Sequence, residues 1–174
     1  MAEFIQKHKL FSFYSTLMIL VVIIAIFAPW LAPGDAFTSN MSQALQAPSS
    51  QHWFGTDKLG RDVLSRIIYG TQLSLFMGVS IVVIMVSIGT IIGAVAGYFG
   101  GKIEMVLMRL ADIMLSFPGV VLAIAIAGIL GGSIVNTIIA LSVVGWAKYA
   151  RLVRSMTLKV RGEEYVTAAV MMGA

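Results

Sequence analysis

Two stretches of 35 residues each, Ile67 to Gly101 and Ile113 to Ala147, contain no Asp, Glu, Lys or Arg. About 20 apolar residues cross the ~30 Å hydrocarbon core of a bilayer, so runs of this length point to membrane spans. A third uncharged stretch lies between Lys9 and Asp35, and its apolar part, Leu17 to Leu31, extends back through Phe11 and Phe13. Composition agrees: 59% of residues are hydrophobic, 11% are charged and the mean hydropathy is +0.93. A soluble domain carries about a quarter charged residues, which argues against a water-soluble enzyme. The absence of Cys excludes disulfides, thiolate metal sites and cysteine nucleophiles.

The spans follow from where each run is interrupted. The first occupies residues 1–34 together with its N-terminal tail. A cleavable signal peptide is the alternative, because Lys7 and Lys9 precede the run and Ala28 to Ala32 loosely mimics a cleavage site. Pro33 would follow that cut, and the run exceeds the ~7 to 15 residues of a signal core, so a retained span is preferred. Residues 72–99 make the second span, long enough that it must tilt or protrude. In the third run Gly128, Gly131, Gly132 and Ser133 divide a hairpin into spans 113–129 and 134–147. A single broken or re-entrant helix is the competing reading. The last span is short, so Lys148 and Arg151 must snorkel to the interface. Residues 72–147 thus form a three-span core.

Four spans place both ends on one side, and the basic residues say which. With the N-terminus inside, Lys7, Lys9, Lys102, Arg109, Lys148, Arg151, Arg154, Lys159 and Arg161 are cytoplasmic, nine in all. Lys58, Arg61 and Arg66, three in all, are outside.

Residues 35–71 read as an outer loop with an interfacial helix. The part from Gly34 to Gln51 is polar and without period, an exposed connector. Beyond it Leu59, Val63 and Ile67 recur every four residues, which suits a short helix lying in the outer interface, continuous with or bent against the second span. Asp57 with Arg61 and Asp62 with Arg66 are acid-first pairs at i, i+4. Trp53 and Phe54 belong at headgroup depth. Gly55 to Asp62 has the glycine spacing of a phosphate-binding loop. Its chemistry is wrong, because Arg61 replaces the lysine and Asp62 the hydroxyl residue. His8 and His52 are isolated from each other and from carboxylate partners of a metal or catalytic kind, so an intramembrane enzyme has no support and each His reads as an interfacial polar residue.

Gly89, Gly93 and Gly97 form two GxxxG steps that clear a helix face for close packing. Their self-association in a small structural or pore-forming membrane protein is the second function class the residues allow. Arg109 and Asp112, one turn apart, read as an interfacial ion pair anchoring the third span, with a proton or ion relay as the alternative. No charge lies in the middle of a span, which argues against a channel or pump formed by this chain alone.

Residues 148–174 extend the last span into the cytoplasm. Lys148, Arg151, Ser155 and Lys159 share a face, Gly162 breaks the helix, and Glu163 and Glu164 start a second short one at its positive dipole end. Gly173 offers the stop. This helix shows Ala168 and Ala169 among Val166, Val170, Met171 and Met172, an apolar surface that needs a groove in a partner or the inner leaflet itself.

The ordered run His52-Trp-Phe-Gly-Thr-Asp57, Leu59-Gly-Arg-Asp62, Ser65-Arg66, Met108 to Met114, Phe117-Pro118, Trp146, Tyr149 to Arg154, Glu164 to Ala169 and Gly173-Ala174 resembles the second permease of bacterial dipeptide, oligopeptide and nickel ABC importers. The resemblance covers about residues 51 to 174. It implies an all-α membrane protein with a partial type I ABC importer permease (MetI-like) fold of about four transmembrane helices, in the bacterial inner membrane. The implied partners are a second permease, ABC ATPase subunits, an extracytoplasmic substrate-binding protein and the lipid bilayer, with no nucleic acid. No cofactor or metal is bound by this chain, and ATP is used by the partner. The family's cytoplasmic coupling loop maps onto Glu164, Tyr165, Ala168, Ala169, Gly173 and Ala174. Thr167 stands where the family usually has Glu, which implies altered coupling contacts. Family members continue into two further spans, so the resemblance implies a fragment or a truncated product. Substrate-contact residues are not identified, and Trp146 to Arg154 is similar to nickel-type and peptide-type members alike.

Overall fold

The computed structural model describes residues 9–173; Lys7, His8 and Ala174 lie outside the described residues. Among the described residues seven α-helices follow in order: α1 Lys9–Ile26, α2 Ala28–Leu31, α3 Val63–Phe99, α4 Gly101–Ser116, α5 Gly119–Leu130, α6 Ile134–Arg161 and α7 Glu164–Met171. A 3-10 turn at Met41–Gln43 interrupts the connector between α2 and α3. No strand forms among the described residues, only one antiparallel bridge between Thr56 and Asp62. The chain divides into two compact units, one ending at Phe76 and the other beginning at Met77, so the division falls within α3.

Among the described residues α1 and α3 are each long and apolar enough to cross a membrane. At 37 residues α3 is about 55 Å long, more than a bilayer core requires. It starts at Val63, so the helix expected from Leu59, Val63 and Ile67 is continuous with the second span, and Leu59 lies in the tight turns that precede it. The first third of α1 and most of its length expose Phe11, Phe13, Met18 and Ile19, as expected of a surface that meets lipid or other helices.

The expected straight span over 113–129 is broken. Phe117 is extended, because the ring of Pro118 disfavours helical geometry in the residue before it. The chain turns by 91° between α4 and α5, and only if this bent pair is taken as one span does it join the membrane-crossing helices. Residues 101–112, which precede the expected start of the third span, belong to α4. Gly100 and Gly101, both at positive φ, reverse the chain from α3 into α4.

Between α5 and α6 the chain turns at Gly131, with φ of +90°. The Ser133 hydroxyl accepts from the Asn136 amide at 3.1 Å and caps α6, while Asn136 Nδ2 donates to Leu130 O at 2.6 Å. Residues 134–147 are the uncharged half of α6. The helix continues without interruption through its charged half to Arg161, and taken whole it is not among the membrane-crossing helices.

The core of the second unit is built from small residues. Ala111, Ala147 and Ala150 are fully buried around Trp146, with Ile92, Met108, Met114 and Leu115 packed on them. The three glycines of α3 lie on α6. A Cβ on Gly89 would meet Tyr149 Cβ at 2.5 Å and Trp146 O at 2.8 Å; one on Gly93 would meet Val153 Cβ at 2.9 Å; one on Gly97 would meet Thr157 Cβ at 2.7 Å. These approaches leave no room for any side chain. The stripe is filled by this chain's own α6, which removes the basis for self-association through it.

Candidate coupling site

The segment of interest begins where α6 stops. Gly162 caps it, its amide donating to Leu158 O and Lys159 O, and Glu163 turns to an extended conformation before α7 begins. Glu163 O then accepts from Val166 N and Thr167 N, and Glu164 sits in the first turn, where a carboxylate complements the helix dipole. At the far end the Met172 amide returns to Ala168 O and Ala169 O. Gly173 follows at φ of +95°, a conformation that favours glycine and closes the helix.

α7 is exposed over most of its circumference, with only Val166 and Ala169 half-buried. Val166, Thr167, Val170 and Met171 line a cleft of about 470 Å³ with Tyr98 and Phe99 of α3 and Arg161 of α6. Tyr165, Ala168 and Met172, at helical spacing, lie on exposed backbone with Glu164 beside them, and Tyr165 and Met172 are 65% and 83% exposed. Ala168 and Ala169 are 100° apart on the helix, so they do not act as one surface: Ala168 is exposed and Ala169 half-buried. Ala174, the last of the expected coupling residues, lies outside the described residues.

The expected pair of Arg109 with Asp112 does not form. Asp112 Oδ1 instead accepts from Arg151 Nη2 of α6 at 2.7 Å. Side chains on a helix tilt toward its N-terminus, so an arginine that precedes its acid points away from it, and the acid-last order is the weaker one. A second pair, missed because its members are 50 residues apart, joins Arg154 to Glu104, with Arg154 Nε 2.6 Å from Oε1.

The connector holds a polar cluster of its own. Asp62 is 2% exposed. Its Oδ1 lies 3.0 Å from His52 Nδ1, and its Oδ2 accepts from the Ser65 amide at 2.8 Å, which caps α3. The buried Ser65 hydroxyl accepts from Gly34 N at 2.9 Å, so the segments of Gly34 and His52 are both tied to the start of α3. Burial alone would raise the Asp62 pKa. The bonds from the Ser65 amide and hydroxyl and from His52 outweigh it and hold the carboxyl below its ordinary 3.8. His52 is therefore a paired residue of this cluster, not an isolated one.

Asp57 closes the loop that resembles a phosphate-binding turn. Its Oδ1 accepts from Leu59 N at 2.8 Å and Arg61 N at 3.0 Å, and its Oδ2 takes Arg61 Nε at 2.9 Å and Arg66 Nη1. The loop thus folds around its own carboxylate, and the Arg61 guanidinium leads the contacts that hold its pKa well below the usual carboxylate range. Arg66 goes to Asp57, nine positions back, rather than to Asp62. Nearby, the Thr38 hydroxyl, then the Phe37 and Thr38 amides, lower Asp35 to about 2. The segment expected as an exposed connector is thus tied to the turns that follow it, through Asn40 N to Leu59 O, Leu45 N to Asp57 O and Thr56 N to Gln46 O.

The second unit thus holds a bent α4–α5 pair and a short exposed helix that follows a charged extension. Comparison with known proteins gives it a family. Residues 89–174 match the model described as binding-protein-dependent transport system inner membrane component, and residues 5–48 match the N-terminal TM domain of oligopeptide transport permease C. The chain is 44% identical over 169 residues to a dipeptide transport system permease protein of Alkalihalophilus pseudofirmus, covering 97% of this chain and 56% of that protein. It is 37% identical over 169 residues to an oligopeptide transport system permease protein of Bacillus subtilis, covering 97% and 55%. A glutathione transport system permease protein of Escherichia coli is 43% identical over 158 residues, covering 90% and 52%. The chain spans about half the length of the curated relatives it matches. It belongs to the permease family of ABC importers, the inner-membrane components of binding-protein-dependent transport systems.

Proposed function

We propose that the chain works as one of two permease subunits in an ATP-driven importer of di- or oligopeptides. A partner ATPase binds and hydrolyses ATP, and an extracytoplasmic binding protein delivers the cargo. The relatives named above carry dipeptide, oligopeptide and glutathione in their descriptions, which favours peptides over nickel. In this reading the N-terminus and α7 face the cytoplasm, in accord with the nine-to-three division of basic residues.

The observation that carries the proposal is the open face of α7. Glu164, Tyr165, Ala168, Val170, Met171 and Met172 are exposed and only Val166 and Ala169 are half-buried, so the helix offers an apolar surface that its own unit does not cover. Such a face suits a hydrophobic groove in a partner, with Tyr165 and Met172 as adaptable anchors. A photo-crosslinking residue placed at Ala168 in the full-length permease tests this in intact membranes. The expected adduct is with the ATPase subunit. An adduct formed with lipid alone would overturn the docking role.

A further inference from the structure

Two ion pairs join α4 to α6, and ATPase docking by α7 does not by itself require either. Arg154 holds Glu104 through Nε and Nη2, and one turn earlier on α6 Arg151 holds Asp112. All four residues line one cleft of about 370 Å³, which Met105 and Met108 floor.

Elsewhere the grip on α6 is apolar. On the α3 side it rests on Gly89, Gly93 and Gly97, and on the α4 side Ala111 meets Ala147 and Ala150, with Trp146 of α6 in the same cluster as Met108, Met114 and Leu115 of α4. Small-residue surfaces bring helices close. Apolar contacts are non-directional, so they do not by themselves single out one register. A guanidinium–carboxylate bond is directional and fixes register. Arg151 and Asp112 are each more than half exposed, where water and salt screen a pair, so their contribution to folding is small and what they supply is position. The two helices also lead to the places that matter for transmission. Beyond Arg154, α6 runs to Gly162 and α7; beyond Asp112, α4 runs to Pro118, where the chain bends by 91°.

We propose that Glu104, Asp112, Arg151 and Arg154 are positioning residues that lock α6 to α4. Displacement of α7 then reaches the bend at Pro118 instead of being lost as sliding between the two helices. The proposal rests on the importer reading above.

The test uses the full-length permease in its complete importer, reconstituted with its binding protein in vesicles of phosphatidylethanolamine and phosphatidylglycerol. Uptake of labelled dialanine and trialanine and ATP hydrolysis are measured on the same vesicles. The isosteric double variant Glu104→Gln with Asp112→Asn is expected to keep its ATPase subunits and its hydrolysis rate, while peptide taken up per ATP falls about fivefold, the size of a modest coupling free energy. The exchange Glu104→Arg with Arg154→Glu restores one pair in reverse and is expected to recover most of the ratio lost in Glu104→Gln alone. An unchanged ratio in the double variant would overturn the proposal, and so would a loss that the exchange fails to recover. A wild-type permease that brings no ATPase through purification would instead overturn the importer reading, which separates the two failures.

Discussion

The connector between α2 and α3 and the segment around α7 solve opposite problems. The connector is polar, poor in regular structure and tied to itself. Asp62 and Asp57 gather amides, His52, Arg61 and Arg66 from several turns, and nothing in the cluster asks for an outside partner. The α7 segment is apolar and regular, yet Tyr165, Val170, Met171 and Met172 remain exposed. Polar groups can be satisfied locally by bending the chain, whereas an apolar helix face can be buried only by another surface. The connector closes its hydrogen bonds and still exposes Phe37, Met41, Leu45, Trp53 and Phe54, whereas in α7 the exposed apolar side chains lie along one regular helix.

The largest expected effect tests what holds the α7 region in place. Gly93→Leu drives a side chain into Ala150 and Val153 of α6 and should destabilise the second unit by about 3 kcal/mol or prevent its folding. Thermal unfolding in detergent measures this, and an unchanged midpoint would mean that α3 and α6 do not pack through the stripe. Next comes the keystone of the connector. Asp62→Ala removes the cap of α3 and leaves His52 without its partner, at an expected cost of about 2 kcal/mol, read as faster hydrogen exchange over residues 52–66 with α7 unaffected.

The same carboxylate gives a pH dependence. Its pKa is depressed on folding, so its contribution is fully present above the ordinary value of 3.8 and is lost as pH falls through the lower folded-state value. Exchange protection over residues 52–66, corrected for intrinsic rates, should hold at pH 5 and above and fail only below about 4. Loss of protection already at pH 6 would show that another group controls the cluster. The smallest effect concerns Ser142, whose buried hydroxyl has no hydrogen-bond partner among the described residues. Ser142→Ala should leave the fold intact and raise stability by up to about 1 kcal/mol in the same unfolding assay.

What could be read from the sequence was local, and what could not was a matter of partners far along the chain. The break at Gly162 and the start of α7 at Glu164 follow from neighbouring residues alone. The signal for the bend was equally local, since Phe117-Pro118 stands in plain view. It was outweighed by the length of the uncharged run around it, because apolarity reports burial in lipid and says nothing of straightness. Of the charge pairs expected from spacing, Asp57 with Arg61 forms and the other two do not. Spacing along a helix offered Asp62 to Arg66 and Asp112 to Arg109, but the fold offers Asp62 to His52 across a turn and Asp112 to Arg151 from another helix. The glycine stripe showed that something must pack closely there. Only the structure names α6 as the occupant, because a smooth face carries no address.

The most direct test of the account is to extract the full-length permease from its native membrane in mild detergent and weigh every component by intact mass spectrometry, for the wild type and for Ala168→Arg. The account predicts that the wild type leaves the membrane with a second permease and ATPase subunits, and that the charged variant keeps the permease partner while losing the ATPase. A wild-type chain found alone or only with copies of itself, or a variant whose ATPase stays bound, would contradict it.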